Sequence, residues 1–139
     1  VTTTQILSGS GEPSIKVHST TDDEFPIAQV LKDAHKVGCH HIVTDEAGTR
    51  AVSVGFDGLI RVWKHQEGKW EDDGEIRNDA PKRAGQVWAV ALSSDGQYLA
   101  GTTQDGRVNV WGLNNGKQKI REFETKGSFG MCADMVILS

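Results

Sequence analysis

The sequence is poor in cysteine: 2 residues, Cys39 and Cys132, lie far apart in a chain of 139. Free buried thiols in an intracellular protein account for them. Basic charge is not in excess either. With 15 Lys and Arg against 19 Asp and Glu, the net charge is −4 and the cations are scattered. Direct nucleic-acid binding, which calls for a basic patch, is therefore not expected. No apolar run reaches transmembrane length, and no charged segment followed by an apolar one marks a secretory signal. Helix signals are nearly missing, because no capped window repeats its apolar residues at the helical period. Gly9 and Gly11 have no helix after them, which a phosphate-binding loop requires. No paired carboxylates and no nucleophile–base arrangement stand out, so neither an enzyme activity nor a cofactor is expected.

Glycine is abundant, at 16 residues, as suits a chain with many tight turns. With 37% hydrophobic and 24% charged residues, one soluble globular domain is the expectation. The organising stretch is Ala51–Lys64, AVSVGFDGLIRVWK. Val52, Val54 and Phe56 alternate with Ser53 and Gly55, a strand period. Asp57-Gly58 is a hairpin turn signal, since glycine takes positive φ freely and aspartate tolerates it. Ile60 and Val62 then alternate with Arg61 and Trp63. Large apolar residues fall on both faces, so this strand pair should be covered on both sides.

The same pattern returns 48 residues on as Leu99–Gly112, LAGTTQDGRVNVWG. Gly48 pairs with Gly96, Asp57 with Asp105, Gly58 with Gly106, Val62 with Val110 and Trp63 with Trp111. A fainter copy, Ile6–Ser19, stands 45 residues earlier, with Glu12 for the turn Asp and His18 for Trp63. Short strands repeating every ~40–50 residues are the signature of β-propeller blades. The expected fold class is all-β, with about three four-stranded blades in repeat units of roughly 1–44, 45–92 and 93–139. Strands are expected at 5–9, 14–19, 27–31, 39–44, 86–92, 98–103, 107–113, 118–125 and 131–138, besides the central hairpin. Residues 69–76 should form an outer strand with poor pairing, and 78–85 a loop. The cluster Glu67, Glu71, Asp72, Asp73 and Glu75 suits a solvated outer edge charged against edge-to-edge pairing.

These features resemble the WD-repeat family. Its diagnostic set is a His before a blade, a Ser or Thr in the second strand, an Asp in the next turn and a Trp ending the third strand. The matching positions here are His35, Ser53, Asp57 and Trp63. The resemblance implies a buried hydrogen-bonded chain tying a loop to its own sheet, a structural device and not a catalytic triad. The second full copy has Asp105 and Trp111 but Gly101 at the Ser position, and Arg83 at the His position. It should be less firmly clamped, as should the first copy. The Asp that usually follows the Trp is replaced by Lys64 and Gly112.

Within that family, the early and late repeats are similar to the WD-repeat subunits of fungal Superkiller complexes. That resemblance implies a seven-bladed scaffold of a helicase complex in cytoplasmic 3′-to-5′ mRNA decay. It also implies an association with the protein that makes meiotic DNA breaks, and both cytoplasmic and nuclear locations. No membrane partner is implied. The alternative is a WD-repeat adaptor of another system, such as ubiquitin ligation, signalling or transcription elongation. A propeller enzyme would need polar or metal-binding residues around the central channel, where His40 alone is offered. Three blades do not close a ring that takes about four to eight. The remaining blades are expected elsewhere, in another chain or outside the sequence given, or else two chains self-assemble.

Cys39-His40-His41 invites a metal reading, but adjacent side chains on a strand point to opposite faces. Cys39 and Ile42 fit the core, which puts His40 at the place of Trp88, near the mouth of the top face. Trp88 is either core filler or a solvent-reaching aromatic of a peptide-docking surface. The residue before the turn Asp, Phe56 in one blade and Gln104 in the next, also faces the top in WD-repeat relatives. The candidate partner-binding residues are thus Trp88, Phe56, His40 and Gln104.

Overall fold

The computed structural model describes residues 4–77, 87–103, 106–114 and 116–124. Gln104, Asp105, Arg83, Cys132, the 78–85 loop and the 131–138 strand lie outside the described residues. All regular structure among the described residues is strand. The strands are β1 (Gln5–Ser8), β2 (Ile15–Ser19), β3 (Ile27–Leu31), β4 (Cys39–Thr44), β5 (Arg50–Gly55), β6 (Leu59–Gln66), β7 (Lys69–Arg77), β8 (Val87–Leu92), β9 (Tyr98–Thr103), β10 (Arg107–Gly112) and β11 (Gln118–Glu124).

They form three separate antiparallel sheets in meander order: β1-β2-β3, β4-β5-β6-β7 and β8-β9-β10-β11. The related hairpins 50–66 and 98–112 therefore lie in different sheets and are not neighbours in one. Their turns bend alike, since Gly58 and Gly106 both take positive φ, 78° and 87°. A side chain would strain that conformation.

The second sheet is covered on both sides, as its alternation demands. Val52, Val54, Ile60 and Val62 are 0% exposed and pack with Val87, Val90, Leu99 and Trp111 of the third sheet. Ala51, Trp63 and Trp70, on the opposite face, pack with Ile15, Val17 and Leu31 of the first sheet. One strand pair thus serves two cores, because a period of two sends successive residues to opposite faces. At about 25 cal/mol per Å² of apolar surface removed from water, these two seams are the main stabilising contribution of the stack.

The outer strand of the second sheet departs from the expectation of poor pairing. β7 runs in register with β6 from Leu59↔Arg77 to Gln66↔Lys69, broken by one irregularity between Arg61 and Trp63. Its acidic residues lie between buried Trp70 and Ile76, which anchor it at both ends. A charged composition masks two well-placed apolar residues.

Candidate functional site

His35, Ser53, Asp57 and Trp63 come together in one hydrogen-bonded chain. Trp63 Nε1–H donates to Ser53 Oγ at 2.9 Å. Ser53 Oγ lies 2.8 Å from His35 Nε2, and His35 Nδ1 lies 3.1 Å from Asp57 Oδ1. Indole only donates and carboxylate only accepts, so the chain runs in one sense. Ser53 O–H donates to Nε2, and Nδ1–H donates to Asp57, with the imidazole neutral. A protonated His35 would leave the serine hydroxyl hydrogen without an acceptor. Burial holds the His35 pKa below the ordinary histidine value, outweighing the hydrogen bond and charge of Asp57, which act the other way. Burial alone would raise Asp57. The amides of Lys36 and Leu59, together with His35, outweigh it and hold the carboxyl below the usual range. The network has no room to spare: a Cβ built on Gly55 would stand 2.4 Å from His35 Nδ1.

Ser, His and Asp in this order resemble hydrolytic machinery in composition only. Ser53 is 0% exposed and its oxygen is already shared between Trp63 and His35. No substrate carbonyl can approach it. The arrangement clamps the 32–38 loop and the 56–58 turn to the sheet.

The other two sheets keep parts of this chain. In the first sheet, His18 Nε2 lies 3.3 Å from Ser8 Oγ, the relation that Trp63 has to Ser53. His18 Nδ1 also meets the Phe25 carbonyl at 3.0 Å. The sequence reading paired His18 with Trp63 but missed that Ser8 stands at the Ser53 place 45 residues earlier. In the third sheet, Trp111 is 3% exposed and fills the space a serine would need. A Cβ on Gly101 would come within 2.9 Å of its ring and 3.2 Å of Val87. Glycine there is the condition for the tryptophan's pose, so the loss of serine is compensated by packing.

Three of the four candidate contact residues, His40, Phe56 and Trp88, are brought together. The His40 ring centroid is 4.7 Å from that of Phe56 and 5.7 Å from that of Trp88. Gln104, the fourth, lies outside the described residues. A feature the sequence did not reveal sets this geometry. The β4–β5 register shifts between Cys39 and His41, and the β8–β9 register shifts between Val87 and Ala89. His40 and Trp88 are therefore the extra residues of two equivalent bulges, which turn their side chains out of the strand alternation. Phe56 is 41% exposed beside them and Trp88 is half-buried. The three rings thus meet on one exposed turn and two bulges.

Among the described residues no group of three His, Cys, Asp or Glu side chains is arranged to hold an ion. Cys39 is buried, and burial raises its thiol pKa, as for an inert core cysteine.

Sequence reasoning also missed the clasp around Trp70. Its indole N–H donates to Gln5 Oε1 at 2.9 Å. Gln29 closes a ring on the Trp70 backbone, accepting from its N–H at 2.8 Å and donating to its carbonyl at 2.7 Å. The amide of Gln29 thus imitates one rung of strand pairing between the first and second sheets. A lone tryptophan inside an acidic run was the signal.

Residues 80–112 match the family model for the WD domain, G-beta repeat. The chain is 36% identical over 129 residues to meiotic recombination protein rec14 of Schizosaccharomyces pombe, covering 93% of this chain and 41% of that protein. It is 24% identical over 121 residues to the Protein SEC13 homolog of Homo sapiens, covering 74% of this chain and 38% of that one. In structure it is similar to the Cps50 (Swd1) β-propeller domain of Myceliophteria thermophila, with a TM-score of 0.81 at 14% identity, over 94% of this chain and 43% of that one. The chain spans about two fifths of the length of these relatives. Its three sheets are arranged as blades of a β-propeller, and residues 80–112 match the WD repeat.

Proposed function

We propose that this chain is part of a non-enzymatic propeller scaffold that docks peptide segments of partner proteins on the face bearing His40, Phe56 and Trp88, with Gln104 as a fourth contact residue. The observation that carries this reading is the meeting of three aromatic rings at two matching bulges and one exposed turn. The buried Ser–His–Asp chain is spent on rigidity and leaves the molecule without exposed nucleophilic machinery among the described residues. The blades that would close the ring are supplied by sequence beyond these 139 residues or by another chain.

Similarity to a meiotic recombination protein supports a role in meiotic recombination, and the Superkiller resemblance suggests the protein that makes the DNA breaks as the partner there. The resemblance to Superkiller WD-repeat subunits adds a second assembly, the helicase complex of cytoplasmic mRNA decay, and hence both cytoplasmic and nuclear pools. Purification of the tagged full-length protein from vegetative and from meiotic cells tests this. Helicase-complex subunits are expected in the first and the break-forming protein in the second. Recovery of ubiquitin-ligase or transcription-elongation subunits in their place would favour the adaptor alternative.

A further inference from the structure

Two consecutive side chains of β4 reach the backbone of β8. His41 Nδ1 lies 3.1 Å from the Val90 amide nitrogen, and His40 Nε2 lies 3.1 Å from the Trp88 carbonyl oxygen. An amide N–H can only donate, so His41 Nδ1 must be unprotonated. A carbonyl can only accept, so His40 carries its proton on Nε2. His40 Nδ1 is then a buried acceptor without a hydrogen-bond partner. A second proton on His41 has no place, because on Nδ1 it meets the Val90 N–H. The rings are also adjacent, so a charge on one opposes a charge on the other.

We propose that His40 and His41 fasten the second blade to the third, and that protonation of His41 parts β4 from β8 and opens the aromatic docking face. Its effect on docking rests on the function proposed above, while the fastening does not. Cys39 and His40 are the titratable neighbours on the same strand. Leu7 of β1, Val54 of β5, and Trp88 and Val90 of β8 face His41 and do not titrate, while His35, in the loop before β4, is the titratable group that His40 feels. Burial first, and then His40, hold the His41 pKa below the ordinary value. The fastening is therefore complete above about pH 6.5 and is lost as pH falls below it. Because Trp88 is both a rung of this seam and a member of the aromatic trio, the trio loses its third ring when the seam opens.

Amide NMR of the full chain between pH 8 and 5 tests the proposal without any partner. The Val90 and Trp88 amide signals should move with one midpoint below about 6.5, while Val52 and Val62 in the neighbouring core stay fixed. His41→Gln, whose amide oxygen accepts the same bond without titrating, should abolish the Val90 midpoint, and His40→Gln should keep it. An unmoved Val90 signal, the same midpoint in His41→Gln, or a transition shared with Val52 and Val62 would overturn the proposal. If His41→Gln does not fold, the wild-type ring nitrogens decide: a protonated Nδ1 on His41 at neutral pH overturns it, an unprotonated one supports it. None of these readouts depends on docking, so loss of the docking reading would leave them standing.

Discussion

Replacing Trp70 with alanine should lower the unfolding free energy by about 3–5 kcal/mol, measured by urea denaturation. The indole is 2% exposed, sits in the core between the first and second blades, and lies 4.8 Å from the His65 ring. Truncation opens a cavity at the outer rim, and the Gln5 side chain loses its donor. Gln29→Ala is the milder companion. It removes two bonds to the Trp70 backbone but no large buried volume, so a loss of about 1–3 kcal/mol is expected. If Trp70→Ala cost less than Gln29→Ala, the rim would be held by backbone pairing and the indole would be incidental.

Asp57→Ala should cost about 3 kcal/mol, because it leaves the buried His35 imidazole and two backbone amides without their acceptor. The carboxylate serves the Lys36 and Leu59 amides and His35 Nδ1, and the His35 and Asp57 side chains are 0% and 5% exposed. Asp57→Asn should recover only part of the loss. One of its two terminal atoms is a donor, which must face either the Lys36 amide or the pair formed by Leu59 and His35. The same network gives stability a pH signature. Both the His35 and Asp57 pKa values are lowered by folding. An imidazole of lowered pKa adds stability that is complete above about pH 6.5 and is lost as acid protonates the unfolded chain first. The carboxylate adds a further loss nearer pH 4 and below. Thermal melts across this range should therefore show stability falling from about pH 6.5 downward, with the first part of the slope reduced in His35→Gln.

The hairpins were legible in the sequence because their information is local. A period of two, a glycine turn and a tryptophan at fixed distance specify strand, turn and strand, and the interval of 48 repeats them in the next blade. The clamp of His35, Ser53, Asp57 and Trp63 could be named in advance from the resemblance to the WD-repeat family. What stayed hidden was set by non-local partners. Trp70 reads as one aromatic in an acidic run, and its meaning comes from Gln29 and Gln5, 41 and 65 residues away. The bulges at His40 and Trp88 shift register by one residue between neighbouring strands, and nothing in either strand's own alternation announces that. Gly101 looked like a lost serine. Only the Trp111 ring lying against it shows why a side chain is excluded.

The proposed docking face is tested most directly at Trp88. Calorimetric titration of full-length protein, wild type and Trp88→Ala, with a purified partner should show binding weakened by more than about 1 kcal/mol, roughly fivefold or more, with the melting temperature little changed. A melting temperature that drops while affinity holds would assign Trp88 to the core and contradict the account.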